Sequence, residues 1–120
     1  MSKIYIKSNL KTKNEDHFYE GKGIKTNNKI TYNDDGILTT ITLGELIILE
    51  RNKDYQIKMG FKINEKIKGT YTTSEGNFKL ETKTNHLKIT QNSIKIKYEL
   101  IINNVFIDSF DFNLQYTIDR

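Results

Sequence analysis

Arg51 is the residue in this chain best equipped to hold a ligand. Of nineteen basic residues seventeen are lysine, leaving only Arg51 and the terminal Arg120 as arginines. A guanidinium is planar and can grip a carboxylate through two parallel hydrogen bonds, which an ammonium cannot. Tyr32, Tyr71 and Tyr98 can add hydroxyl groups to the same interior face. Both assignments have plainer counterparts: a strand-end arginine also forms structural ion pairs, here with Glu50 or Glu99, and buried tyrosines also serve as core. Other chemistries are poorly supplied. There is no cysteine, and Ser8, Ser74, Ser93 and Ser109 sit in no Gly-x-Ser-x-Gly elbow. His17 and His86 lie far apart and neither begins a metal-ligand spacing. Asp34-Asp35 belongs to a turn cluster, while Asp108 and Asp111 fall on opposite parities of one strand. No phosphate-binding glycine loop precedes a helix. The expectation is a chain that is not an enzyme, with no catalytic residue, no metal and no cofactor.

What positions these residues is an alternation of apolar and polar side chains with a period of two. Tyr55, Ile57, Met59, Phe61 and Ile63 are separated by Gln56, Lys58, Gly60 and Lys62, so one face of a strand is dry and the other wet. Clusters such as Thr26-Asn27-Asn28, Asn33-Asp34-Asp35-Gly36, Ser74-Glu75-Gly76-Asn77 and Asn103-Asn104 tolerate the positive φ of tight hairpins. They bound expected strands at 2–11, 17–26, 29–33, 37–43, 46–51, 55–63, 66–73, 77–84, 86–90, 93–102 and 105–118. Leu43, Leu46, Ile47 and Glu50 also fit a short helix; the Ile and Leu density and the missing N-cap hydroxyl at Gly44 favour a strand. Short strands with turns every ten or so residues predict a barrel or sandwich. Interior positions are expected at Ile4, Ile6, Ile30, Tyr32, Phe78, Leu80, Ile94, Ile96, Tyr98 and Leu100. Phe106, Phe110, Phe112, Leu114, Tyr116 and Ile118 share a parity on a last strand that closes the barrel against the first.

Composition agrees. A chain of 120 residues makes one domain, 1–120. It has eighteen isoleucines and no alanine or proline, which leans away from helix and leaves no strand short of a ladder donor; an AT-rich coding sequence gives a similar bias. The net charge is +4, but lysines such as Lys58, Lys62, Lys95 and Lys97 take the polar beats of the alternation, where they keep a sheet soluble. The longest apolar run, Leu46-Ile47-Ile48-Leu49, is far short of a membrane span, and the N-terminus lacks the apolar stretch of a signal peptide. A cytoplasmic, bacterial-style protein is expected, with no membrane partner.

The order of motifs resembles the YwiB-like family of uncharacterised bacterial domains. The matching stretches are Ile30-Thr31-Tyr32 with Gly36 and Thr39-Thr40, then Ile48-Leu49-Glu50-Arg51, then Met59 and Phe61. The sharpest is Tyr71, Thr73, Gly76, Phe78, Leu80, Thr84 and Leu87, followed by Ile94, Ile96, Tyr98 and Leu100. The chain departs from the family pattern at Ser74-Glu75, where a Pro-aromatic pair is usual, and at Asn52-Lys53-Asp54, where a glycine is absent. The resemblance implies an all-β, antiparallel, calycin-like (lipocalin-like) up-and-down β-barrel of roughly eight to ten strands, and it implies no activity.

Three readings of function remain open. The barrel interior can carry a small hydrophobic or carboxylate ligand, with Arg51 on the anionic group and Tyr32, Tyr71 and Tyr98 around it. The outer surface or a strand edge can bind a protein partner or a second copy. Basicity with aromatics also suits single-stranded nucleic acid, a weaker case because no aromatic shares the lysine face.

Overall fold

The computed structural model describes residues 1–119, and every element in it is a strand. In chain order these are β1 (Ser2–Lys11), β2 (Asp16–Thr26), β3 (Lys29–Asp34), β4 (Ile37–Thr42), β5 (Ile47–Asn52), β6 (Gln56–Phe61), β7 (Lys66–Thr73), β8 (Gly76–Ile89), β9 (Ser93–Ile102) and β10 (Val105–Ile118). Each strand pairs antiparallel with its neighbours in sequence, and β10 closes on β1 from Ile4↔Ile118 to Lys11↔Asp111. The result is a closed, up-and-down barrel of ten strands. The turns use the residues expected of them: Asn27, Asp35, Asn64, Asn103 and Asn104 take positive φ, as do Gly36 and Gly76. The segment that also fitted a helix is strand from Ile47 onward.

Two bulges revise the sequence reading. The expected strands 77–84 and 86–90 are one continuous β8, whose register shifts between Thr84 and His86. The extra residue, Asn85, swaps the faces. Leu80, Thr82 and Thr84 point inward before it, Leu87 pairs with interior Ile96 after it, and His86 is turned out beside Lys97. A second shift lies between Phe106 and Asp108 in β10. It puts Phe106 opposite Ile101 on the outer side, 55% exposed, although it shares the parity of buried Phe112, Leu114 and Tyr116. Ile118 and Ile63 are also exposed, because each lies where its strand runs out at the barrel end. Phe78, Leu100 and Phe110 are half-buried, and the other expected interior residues are buried.

A barrel of ten strands has a wider interior than one of eight, which side chains just fill. This one is narrowed by a pinch. β6 pairs with β7 only from Gln56↔Thr72 to Lys58↔Thr70, then turns inward. There the Gly60 carbonyl accepts a hydrogen bond from the Thr82 hydroxyl of β8, Ile63 bridges Thr84, and the Asn64 N–H donates to the Thr84 carbonyl at 3.0 Å. Gly69 makes the approach possible, since a Cβ there would strike the Lys58 carbonyl. The remaining interior is closed by Ile4, Ile6, Ile30, Ile41, Phe61, Leu80, Ile94, Ile96 and Leu114, all essentially inaccessible.

Thr82 and Thr84 are both fully buried, yet only Thr82 uses its hydroxyl; that of Thr84 finds no partner among the described residues. The same substitution should therefore act in opposite directions. Thr82→Val leaves the Gly60 carbonyl orphaned and should lower stability by about 1–3 kcal/mol, whereas Thr84→Val removes a desolvated hydroxyl and should be neutral or stabilising by about 1 kcal/mol. Urea unfolding measures both, and a common direction of change would refute the pinch as a hydrogen-bonded feature.

Candidate functional site

Ladder pairing strings the interior into a single rung: Ile4, Gly23, Tyr32, Thr39, Arg51, Ile57, Tyr71 and Phe78 lie opposite one another on β1 to β8. Directly opposed residues share a face, so all eight are aimed at the inside. Strands in a closed barrel tilt, so the rung climbs from the deep Ile4 to the mouth ringed by the β1–β2, β3–β4, β5–β6, β7–β8 and β9–β10 turns. Arg51 sits near the top of this climb. Gly23 keeps the rung tight, because a Cβ there would come within 2.5 Å of the Ile6 side chain.

Arg51 looks onto Asp34, the last residue of β3. That carboxylate is buried and is shared between two bases. His17 Nε2 lies 2.9 and 3.0 Å from its two oxygens, and the Arg51 guanidinium lies 3.6 Å from Oδ2. The second distance is an ion pair without a hydrogen bond. Among the described residues Arg51 makes no shorter polar contact, so its donors stay available. They border a cavity of about 30 Å³, lined on its polar side by Ser8, His17, Tyr32, Asp34, Thr39 and Tyr98 and on its apolar side by Leu10, Leu49, Met59 and Phe112. That volume suits a water or two, or one small polar group. Ligand pockets that enclose a whole small molecule run to roughly 300 Å³ or more. Among the described residues the interior below Arg51 is filled by buried side chains, and this small cavity lies at the mouth.

The two tyrosines beside the cavity are held protonated. Burial pushes the Tyr32 phenol up to about 12, with the neighbouring Ser8 hydroxyl and the Arg51 charge pulling it back. Burial drives Tyr98 higher still, again opposed by Arg51. Both rings are fixed by stacking: Tyr32 on Tyr19 at 5.0 Å, and Tyr98 between Phe110 at 5.2 Å and Phe61 at 4.7 Å. The site therefore presents neutral hydroxyls and a fixed cation, partly balanced by one carboxylate. Ser8 lines the cavity but has no hydrogen bond to His17, whose Nε2 is spent on Asp34. Among the described residues, no three His, Asp or Glu side chains gather into a metal-binding group.

Of the four candidate residues, Arg51, Tyr32 and Tyr98 come together. Tyr71 does not line this cavity; it lies two strands further up the rung, in a separate depression with Tyr55 and Phe78. Arg51 pairs with Asp34 instead of Glu50 or Glu99, and Glu99 accepts from Asn85 at 3.2 Å. Asp34 was masked by its turn-like setting, Asn33-Asp34-Asp35-Gly36. Its parity with Ile30 and Tyr32 is the signal that it faces inward. His17 gives no such local signal, because it reaches Asp34 only through the pairing of β2 with β1 and the curvature of the sheet.

A closed antiparallel barrel with a packed interior and one polar, arginine-bearing mouth is the class this chain defines. The family model described as Domain of unknown function (DUF1934) matches residues 4–114, and the chain belongs to that family. Among solved structures, it is similar to the crystal structure of ywiB protein from Bacillus subtilis, at 14% sequence identity and a TM-score of 0.66, over 98% of this chain and 91% of that one. That likeness is one of fold. No curated protein matches the chain.

The raised phenols make stability depend on pH at the alkaline end. Below pH 10 folded and unfolded chains both hold the Tyr32 proton, and the stability it carries is fully present. Above that the unfolded chain, with a phenol near 10, releases its proton first, and stability is lost progressively until the folded group titrates at about 12. Absorbance titration at 295 nm should show Tyr32 and Tyr98 ionising only above the range of a free phenol, or on unfolding. In Tyr32→Phe the alkaline loss of stability should be shallower. Ionisation of all seven tyrosines in one step near pH 10, with the fold intact, would contradict this.

Proposed function

We propose that this protein binds a small molecule through an anionic group, a carboxylate above all, seated in the mouth cavity at Arg51. The observation that carries the reading is a guanidinium without a hydrogen bond, facing a cavity the size of one small polar group. Arg51 would take the anion in paired hydrogen bonds, with the Tyr98 and Tyr32 hydroxyls as further donors. Leu10, Leu49, Met59 and Phe112 keep the seat dry enough for those bonds to count. Because the core below is filled, the body of the ligand lies across the mouth instead of inside the barrel. No step of the reading requires bond-making chemistry; the function is carriage or sensing.

Asp34 competes with the ligand for Arg51, and this gives the reading a directional test. Straight-chain carboxylates from acetate to octanoate, titrated against the purified protein by calorimetry and thermal shift, should bind and raise its melting temperature. Arg51→Gln should abolish the effect. Asp34→Asn removes a facing negative charge and should bind about fivefold tighter, even as it loses about 1–3 kcal/mol of stability by leaving Arg51 unpaired. Absence of any carboxylate effect, together with nothing recovered by organic extraction or native mass spectrometry, sinks the proposal.

A second reading, partner binding along a strand edge, is favoured by one feature of β2. From Asp16 to Lys22 this strand pairs with β1 alone, since its pairing with β3 stops at Gly23↔Tyr32, and Phe18 there is 69% exposed. The two-residue turn at Asn27-Asn28 sets the ladder so that Glu20 and Phe18 direct their backbone groups toward that open edge. Glu20→Pro removes a donor there without touching the β1 ladder. If self-association or peptide pairing uses this edge, light scattering and chromatography should show it lost in the variant; a wild-type protein that is monomeric and partnerless at all concentrations counts against it.

A further inference from the structure

Tyr71, separated from Arg51 by the structure, belongs to a second concavity at the same mouth. Three aromatic rings in different planes line it, together with Ile102 and the polar side chains of Thr73, Ser74 and Asn103. Tyr55 stands edge-on to Tyr71, with centroids 6.3 Å apart at 88°, and Phe78 is tilted 41° to Tyr71 at 5.7 Å. The depression they line is open and about 550 Å³ in volume, larger than the cavity at Arg51. Its charged lining residues are Asp54 and Glu75, and no lysine lines it. In a chain of seventeen lysines and net charge +4, a concavity whose charged lining residues are both carboxylates is a local inversion of sign. Neither carboxylate is in an ion pair among the described residues.

The loops that carry these groups are tied down. The Lys53 N–H donates to the Tyr55 carbonyl at 3.0 Å, the Glu75 N–H to the Thr73 hydroxyl at 3.0 Å, and the Lys79 N–H to the Asn103 side-chain carbonyl at 3.1 Å. Aromatic faces carry negative potential, and rings set at angles around a space attract a cation that sheds water easily. Carboxylates at the rim add long-range attraction and draw the cation in.

We propose that Tyr55, Tyr71 and Phe78, with Asp54 and Glu75 at the rim, form a binding site for an organic ammonium group, alkylated at nitrogen, distinct from the anion seat at Arg51. An alkylated ammonium fits better than a metal ion, because among the described residues no three His, Asp or Glu side chains gather here to hold one, whereas three rings line the space. It also fits better than a neutral apolar group, because such a group gains nothing from the two carboxylates.

The test uses choline and its uncharged isostere, 3,3-dimethyl-1-butanol, titrated into the full chain and followed by NMR. Choline should shift the ring signals of Tyr55, Tyr71 and Phe78, and the isostere should bind at least about fivefold more weakly. Tyr71→Leu should eliminate the response, while Tyr71→Phe, which keeps the ring, should retain it within about twofold. Asp54→Asn combined with Glu75→Gln should weaken choline about fivefold and flatten its salt dependence. These surface variants keep the test decisive should Tyr71→Leu fail to fold. Equal binding of choline and the isostere, an unchanged response in the carboxylate double variant, or no shift at saturating choline would each overturn the proposal.

Discussion

The contact between β6 and β8 sets the terms for the rest of this molecule. Ten strands closed in a ring would enclose more space than the side chains of a 120-residue chain can fill, and an apolar void forfeits dispersion contacts on every wall. The chain resolves this by pulling the end of β6 off β7 and onto β8. Thr82 donates to the Gly60 carbonyl there, and Ile63 and Asn64 bridge to Thr84. Two glycines make it geometrically possible: Gly69 lets the Lys58 carbonyl in, and Gly60 leaves room for the Ile67 side chain. Once the barrel is pinched, isoleucine, leucine and a few aromatic rings suffice to close the interior. What stays open is displaced to the mouth.

At the mouth the limiting factor is charge. Asp34 is buried, so its ionised form needs partners, and it has two, His17 and Arg51. The histidine holds both carboxylate oxygens at hydrogen-bond distance, while the arginine stands off at 3.6 Å. Such an arrangement anchors the carboxylate through one base and leaves the other base in an ion pair without a hydrogen bond. A tight bidentate pair between Asp34 and Arg51 would have been the more stable local arrangement and would have tied up two of the five guanidinium N–H donors. The raised phenols of Tyr32 and Tyr98 follow from the same packing, because a desolvated hydroxyl keeps its proton and remains a donor.

The fold was legible because the alternation of residues is regular where the ladder is regular. Strand limits, hairpin residues and closure of the last strand on the first all follow from parity and from Asn, Asp and Gly at turns. The alternation misleads where a bulge inserts one residue. Asn85 and Ile107 carry no sequence mark that separates them from their neighbours, and each flips everything on one side of it, which is why Phe106 is outside. The site was half legible. Arg51 stood out by type, and Tyr32 and Tyr98 by parity. Asp34 looked like a turn residue because a tight hairpin follows it at once. Tyr71 is on the same rung as Arg51, so parity alone could not separate them. Strand tilt, which no local pattern encodes, moves it up to a different part of the mouth.

That tilt also sets apart two concavities with linings of different charge at one end of a small barrel. Arg51 and Tyr71 are two strands apart with Ile57 between them, about 10 Å by the usual strand spacing. A bare guanidinium at that range would still be felt across a dry mouth, since the screening length in physiological salt is about 8 Å. Arg51 is not bare, however. Asp34, on β3 where Tyr71 is on β7, stands 3.6 Å from it, so at a distance the pair acts as a dipole, whose field falls off faster than that of a single charge. The charged residues that line the depression beside the aromatic rings are the carboxylates of Asp54 and Glu75. The ion pair at Arg51 thereby weakens the field of the guanidinium over the neighbouring concavity.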